Sequence, residues 1–245
     1  NQSNTLMRYL LIFMFLVGIF VVGKRSFNFS FGGTKGTGPM KTETRSARDF
    51  HAVELDLSGD VELRIAEQYS VEVQAQENLL PLLKTEVDNG RLRIYFSENV
   101  SRSEDIKIQI SGPAFDGLSV AGSGKITVLT PIQSERMNLS LSGSGDLIIA
   151  QATFSALECS ISGSGGVELG GTANATQVDI SGSGDVQAKQ LSSNEMRARI
   201  AGSGSVTAHV VQVLKADIAG SGDIFYSGEP SVESNIAGSG TVKKL

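Results

Sequence analysis

The sequence predicts an all-β fold, a parallel β-helix (β-solenoid) with rungs of about 20 residues, and three observations carry that expectation. The tripeptide Gly-Ser-Gly recurs seven times at near-constant spacing. The residues on both sides of each copy alternate between apolar and polar with period two, the signature of strands buried on one face. None of the five Pro residues falls inside an alternating segment, as ladder hydrogen bonding requires.

The repeat fixes the register. The first and second glycines of the seven copies are Gly122 and Gly124, Gly143 and Gly145, Gly163 and Gly165, Gly182 and Gly184, Gly202 and Gly204, Gly220 and Gly222, and Gly238 and Gly240. Successive copies are 21, 20, 19, 20, 18 and 18 residues apart. Two positions before the first Gly stand Val120, Leu141, Ile161, Ile180, Ile200, Ile218 and Ile236. Four positions before it stand Leu118, Leu139, Cys159, Val178, Ala198, Ala216 and Ser234. Two positions after the second Gly stand Ile126, Leu147, Val167, Val186, Val206, Ile224 and Val242. Two short strands per repeat are expected, joined at a sharp corner where the paired glycines supply positive φ at low steric cost.

Repeat length then selects the architecture. A propeller blade needs about 40 residues, and the Leu and Asn ladder of a leucine-rich repeat is missing. A β-helix coil fits. Rungs about 4.8 Å apart give seven copies a span of roughly 30 Å. Length varies at a second corner, marked by Pro131, Gly170-Gly171, Ser192-Ser193 and Gly228-Glu229-Pro230. The outward positions avoid like charges on adjacent rungs: Asp179, Arg199 and Asp217 alternate, and Asp146, Asp185 and Asp223 skip a rung, with Lys125 beside Asp146.

The front of the chain is less regular. Residues 9–23 form an uncharged apolar run between Arg8 and Lys24-Arg25, short for a membrane span but suited to a signal-peptide core. Residues 1–25 are therefore expected to be a cleaved signal peptide or a retained membrane anchor, and residues 26–47 a linker. The solenoid occupies 48–245, with irregular first rungs at 48–117 and regular rungs at 118–245. Ser58-Gly59-Asp60 marks a degenerate rung, and the 63 residues from Gly59 to Gly122 suit three rungs of 21. Residues 79–84 read as a short turn or helix, and Asp88-Asn89-Gly90-Arg91 as a tight hairpin turn. An atypical first section also provides the cap that a solenoid end needs.

The order of these features resembles the head GIN domain family of bacterial auto-transporter adhesins, common in Bacteroidetes. The residues concerned are Ser58-Gly59-Asp60, Asn78-Leu79-Leu80, Asp88-Asn89-Gly90, Leu92-Arg93-Ile94, Ile108-Gln109-Ile110, Leu118-Ser119-Val120 and Gly122-Ser123-Gly124. The resemblance covers roughly residues 48–245. It implies a right-handed β-helix and an envelope or surface location, and brings no binding residues to carry over. The departure is at the N-terminus, where no Cys follows the apolar run and a lipoprotein anchor is not expected.

No constellation points to catalysis. His51 and His209 are the only histidines and lie far apart in the repeat scheme, and no Cys/His cluster has metal-ligand spacing. The Gly-Ser-Gly-Asp copies invite comparison with calcium-binding β-rolls, but Asp residues two rungs apart stand about 9.6 Å from one another. That exceeds what one Ca²⁺ can bridge, so they read as solvated corner residues. Cys159, the only cysteine, falls on an inward position, where it acts as a small apolar residue. A net charge of −5 and the lack of a basic stripe exclude a nucleic-acid surface. The expected function is an exported envelope or surface binding and scaffold protein, adhesive and non-enzymatic, without cofactor, and monomeric. Its ligand, a protein, glycan or lipid, is not named by the sequence. The alternative is an envelope glycan- or lipid-binding module with its ligand near the irregular front half.

Overall fold

The structure, a computed structural model, describes residues 32–245, so the apolar run at 9–23 lies outside the described residues. Among those described, no helix is long and apolar enough to cross a membrane. Parallel strands stack in a β-solenoid, and the register matches the sequence columns residue for residue. Gly122 pairs with Gly143 and the series continues Gly on Gly to Gly238, carrying Val120 onto Leu141 and Ile218 onto Ile236. The column beyond the corner runs likewise from Ile126 to Val242. Slipping one strand by a residue would turn every inward side chain outward, so burial enforces this register.

Each rung has three short faces rather than two strands. In the strand Asp146–Gly163 the buried residues are Leu147, Ile149, Ala152, Phe154, Leu157, Cys159 and Ile161. Alternation breaks at Ala150-Gln151 and again at Ser155-Ala156, where neighbouring residues both miss the core. The sequence hides the third face because Gly, Ser and Thr crowd the two further corners and blur the apolar signal. Register shifts fall at the second corner, between Ile149 and Ala152 and between Ala188 and Ser192, where rung length was expected to vary.

The front half corrects the expectation of three extra rungs. The corner at Ser58-Gly59 stacks directly on the first Gly-Ser-Gly, with Ala52–Asp56 beside Gly117–Gly122 and Asp60–Ile65 beside Lys125–Val128. On its other side lie Arg91–Phe96 and Lys107–Gly112. The intervening chain builds that end layer. It runs antiparallel through Ser70–Gln76 against Lys107–Gly112, and forms a hairpin of Leu83–Asp88 with Arg91–Phe96. Period-two alternation is the same for a strand that climbs the stack and one that caps it, which is why spacing alone misled.

The hairpin turn is the expected one, with Asn89 at φ 48° and Gly90 at φ 75°, the two positive-φ positions of a tight turn. Residues 79–82 form a turn, with the Leu83 amide donating to the Leu79 carbonyl, before the strand begins. Part of the segment read as linker is built into the fold. Thr34–Lys35 pairs with Val100–Arg102, and Met40–Thr44 runs antiparallel to Ser70–Gln76. Phe50, tilted against Tyr69 at 4.8 Å and Phe115 at 6.0 Å between ring centroids, fills this end. At the other end, Ile236 is 40% exposed although Ile218 beneath it is buried.

Candidate functional site

The corners are built by two different constraints. The first Gly of each copy has φ between 131° and 141°, a region that L side chains avoid. The second Gly does not share this φ, which corrects the expectation that both supply it. Its requirement is space. A Cβ on Gly145, Gly165, Gly204 or Gly240 would stand 2.1–2.2 Å from the carbonyl oxygen of the second Gly one rung below. Between them, the Ser amide donates to the first Gly carbonyl of the preceding rung at 2.8–2.9 Å, so the ladder continues through the corner. The seven Ser hydroxyls, from Ser123 to Ser239, are exposed and have no partner among the described residues. They form a free hydroxyl ridge.

The corner aspartates, Asp146 and Asp185 exposed and Asp223 half-buried, are not merely solvated. Asp185 Oδ1 accepts from the Ser205 amide at 3.0 Å and its hydroxyl at 2.6 Å, and Asp223 Oδ1 accepts from the Thr241 amide at 2.9 Å and its hydroxyl at 2.7 Å. Asp146 Oδ1 accepts from the Gly166 amide at 3.2 Å. Each Asp thus clips the next rung, and the skipped-rung pattern is explained: the rung above must offer an amide beside a small residue. Lys125 pairs downward with Asp60 at 3.7 Å rather than with Asp146. On another face Arg199 meets Asp179 at 3.2 Å and Asp217 at 4.0 Å, while Arg197 meets Asp217 at 2.9 Å, as the alternating column requires. Among the described residues no group of three His, Cys, Asp or Glu could hold a metal ion.

The nucleophile and base candidates are dispersed. His51 Nδ1 lies 2.8 Å from Asp116 Oδ1, and His209 Nδ1 lies 3.0 Å from Ser227 Oγ, on different rungs. Neither pair is joined by the third member that a triad needs among the described residues. Cys159 is buried, and desolvation, reinforced by the charge of Asp179, pushes its thiol up to about 12. Such a thiol is inert.

The front end carries a feature that the columns did not reveal. A polar groove of about 640 Å³ is lined by Asp56, Leu57 and Ser58 on one side and by residues 96–103 on the other. The loop is fixed through its backbone. Asn99 and Arg102 carbonyls accept from the Thr34 and Gly36 amides at 2.8 and 2.7 Å, Ser101 Oγ donates to the Gly33 carbonyl at 2.8 Å, and the buried Gln76 accepts from the Glu104 amide at 3.0 Å. A second groove of about 620 Å³ is lined by Arg45, Arg48, Asp49, Glu67 and Tyr69 among others. Arg45 is engaged there by Glu43 at 2.8 Å and the Leu80 carbonyl at 2.8 Å. The sequence signal for the front groove was the run Ser97 to Ser103, polar and without apolar alternation, but nothing in it identified the opposite wall.

Stacked rungs, a sterically locked corner ridge and a polar end groove define a β-solenoid with rungs of about 20 residues. The chain belongs to the family described as putative auto-transporter adhesin, head GIN domain, which matches residues 49–230. A putative adhesin from Bacteroides fragilis superposes with a TM-score of 0.82 at 23% identity, over 87% of this chain and 100% of that one. A putative lipid binding protein from Parabacteroides distasonis gives 0.74 at 26% identity, over 86% and 99% of the two chains. A putative adhesin from Parabacteroides merdae gives 0.72 at 24% identity, over 86% and 98%. At such identity the two adhesin likenesses show the fold alone. No curated protein matches the chain.

Proposed function

We propose that this protein is an exported, non-catalytic binding and scaffold protein of the cell envelope or surface, with adhesive character. The observation that supports this most is how the positions divide. Inward columns are consumed by the core and corner glycines by steric fit, which leaves rigid outward columns as the chemically variable surface. The dispersed histidines and buried thiol supply no activated nucleophile. Family membership favours surface exposure, and the B. fragilis neighbour is named an adhesin. The test immobilises the purified chain and challenges it with envelope extract separated into protein, glycan and lipid fractions. One fraction should be retained specifically, and ester, glycoside and peptide substrates should show no turnover. Turnover above background would overturn the non-catalytic reading.

A second reading, an envelope glycan- or lipid-binding module, is favoured by the polar groove in the front half. The P. distasonis neighbour, named a lipid binding protein, keeps the lipid option within it.

A further inference from the structure

We propose that the front groove between Asp56-Leu57-Ser58 and residues 96–103 is a carbohydrate site that takes a segment of neutral oligosaccharide. This rests on the second reading above and names its ligand class. The loop's backbone is already tied down by Thr34, Gly36 and Gln76, and Ser97 Oγ and Ser101 Oγ donate to the Leu82 and Gly33 carbonyls, while its other polar side chains make no bond among the described residues. Asp56, Ser58, Glu98, Asn99, Arg102 and Ser103 line the groove without a side-chain partner among the described residues. A fixed frame that presents unpaired polar groups loses little freedom on binding, which is what preorganised recognition needs.

The donor and acceptor balance selects the ligand. The carboxylates of Asp56 and Glu98 only accept, the Arg102 guanidinium only donates, and Asn99 and the serines do both. A hydroxyl also does both, so a polyol can answer every one of these groups at once. A simple anion meets two carboxylates, and a simple cation meets Arg102. The half-buried Phe96 offers an apolar wall for the C–H face of a sugar ring, but with Val100 and the buried Leu57 it makes too little apolar surface for an acyl chain. The volume of about 640 Å³ falls within the range of about 300–1,000 Å³ usual for organic ligands. Ser58 belongs to the corner that stacks beneath Gly122-Ser123-Gly124, so a longer chain leaving the groove meets the free hydroxyl ridge.

The test is calorimetric titration of the full chain in mild detergent with maltohexaose, cellohexaose and the β-1,4-linked hexamer of N-acetylglucosamine. At least one should bind, and Asp56→Ala, Glu98→Ala and Arg102→Ala should each weaken it by about tenfold or more, the scale of a lost charge-assisted hydrogen bond. All three residues are exposed, and unchanged melting curves would show that the variants fold. Arg136→Ala, on a distant rung, should bind as the parent does. Binding of none of the three sugars, or binding indifferent to the groove variants, would overturn the assignment. So would groove-dependent binding of phosphatidylethanolamine vesicles without any sugar. If envelope material is still retained in those cases, the groove assignment fails and the surface-binding reading stands.

Discussion

Gly165→Ala isolates the steric rule of the corners. Gly165 lacks the positive φ of the first corner Gly, so Ala there meets no positive-φ strain. Its Cβ would instead lie 2.1 Å from the Gly145 carbonyl oxygen and 2.4 Å from Leu141 Cδ2. Relief needs a local displacement of about 1 Å in a stack held from both sides, and over-packing of that kind costs about 1–3 kcal/mol. The same carbonyl accepts from the Gly166 amide at 3.1 Å, and losing that bond costs about 1 kcal/mol more. Ala also narrows the unfolded ensemble, which returns about 0.4–1 kcal/mol. The net loss is about 1–3.5 kcal/mol, or roughly 2–14 °C in melting temperature for a chain of this size. Gly240→Ala faces an equal 2.1 Å approach to the Gly222 carbonyl, but in the exposed last rung, which can lift away. Thermal unfolding followed by circular dichroism should therefore show a large shift for Gly165→Ala and one smaller by half or more for Gly240→Ala. Equal shifts, or a Gly165→Ala melt within about 1 °C of the parent, would refute stacking as the reason for the second Gly.

Ile180→Asp should unfold or severely destabilise the protein, because it buries an unpaired charge in mid-stack. Ile236→Asp, at a position 40% exposed, should cost far less in the same melt. Asp185→Ala should lose about 1 kcal/mol by removing the acceptor for Ser205, while Asp185→Asn keeps an oxygen there and should be nearly silent in denaturant unfolding. Chelator should leave the melting temperature unchanged, and a drop reversed by Ca²⁺ would revive the β-roll comparison. Cys159 should resist a thiol reagent until the protein unfolds. With its folded pKa about 12 against an ordinary value of 9.0, its contribution to stability is complete below about pH 9 and declines as pH rises toward 12.

What was legible in the sequence was what repetition enforces. A residue such as Ile180 sits between Ile161 and Ile200 in both sequence column and structure, because every rung solves one burial problem in the same way. The third face escaped because its inward column, Phe154, Ala173, Ser193 and Val210, is uneven, and the small and polar members interrupt the apolar signal. Ser193 is fully buried and bonds to Thr176 Oγ1 at 2.8 Å, a satisfied polar pair inside the core. The front layer escaped for a different reason. Whether Arg91–Phe96 stacks above or below Ala52–Asp56 depends on the path of the intervening chain, which local periodicity does not encode. The front groove lies between those two paths, so its wall could not be read from either alone.

Where a ligand gains binding energy follows from which outward groups are still unsatisfied. Arg199, Asp179, Asp217 and Arg197 already answer one another across rungs. Exposed pairs of this kind add about 0–1 kcal/mol each, and a ligand must break them before using either partner. The clipping aspartates are engaged in the same sense, each with the rung above. Among the outward groups still open in the described residues, the Ser hydroxyls form a continuous ridge along the corner and the front-groove side chains gather in one concave site. The ridge alone is convex, and single hydroxyls on a convex edge cannot exclude water from a bound group. The groove is concave and held by backbone bonds, so a hydrogen bond formed there is better shielded. Affinity should therefore concentrate at the foot of the ridge, with the serines above it extending contact to a long ligand rather than selecting it. Shortening the oligosaccharide from six sugars to two should then weaken binding only modestly, whereas the groove substitutions should weaken it strongly at either length.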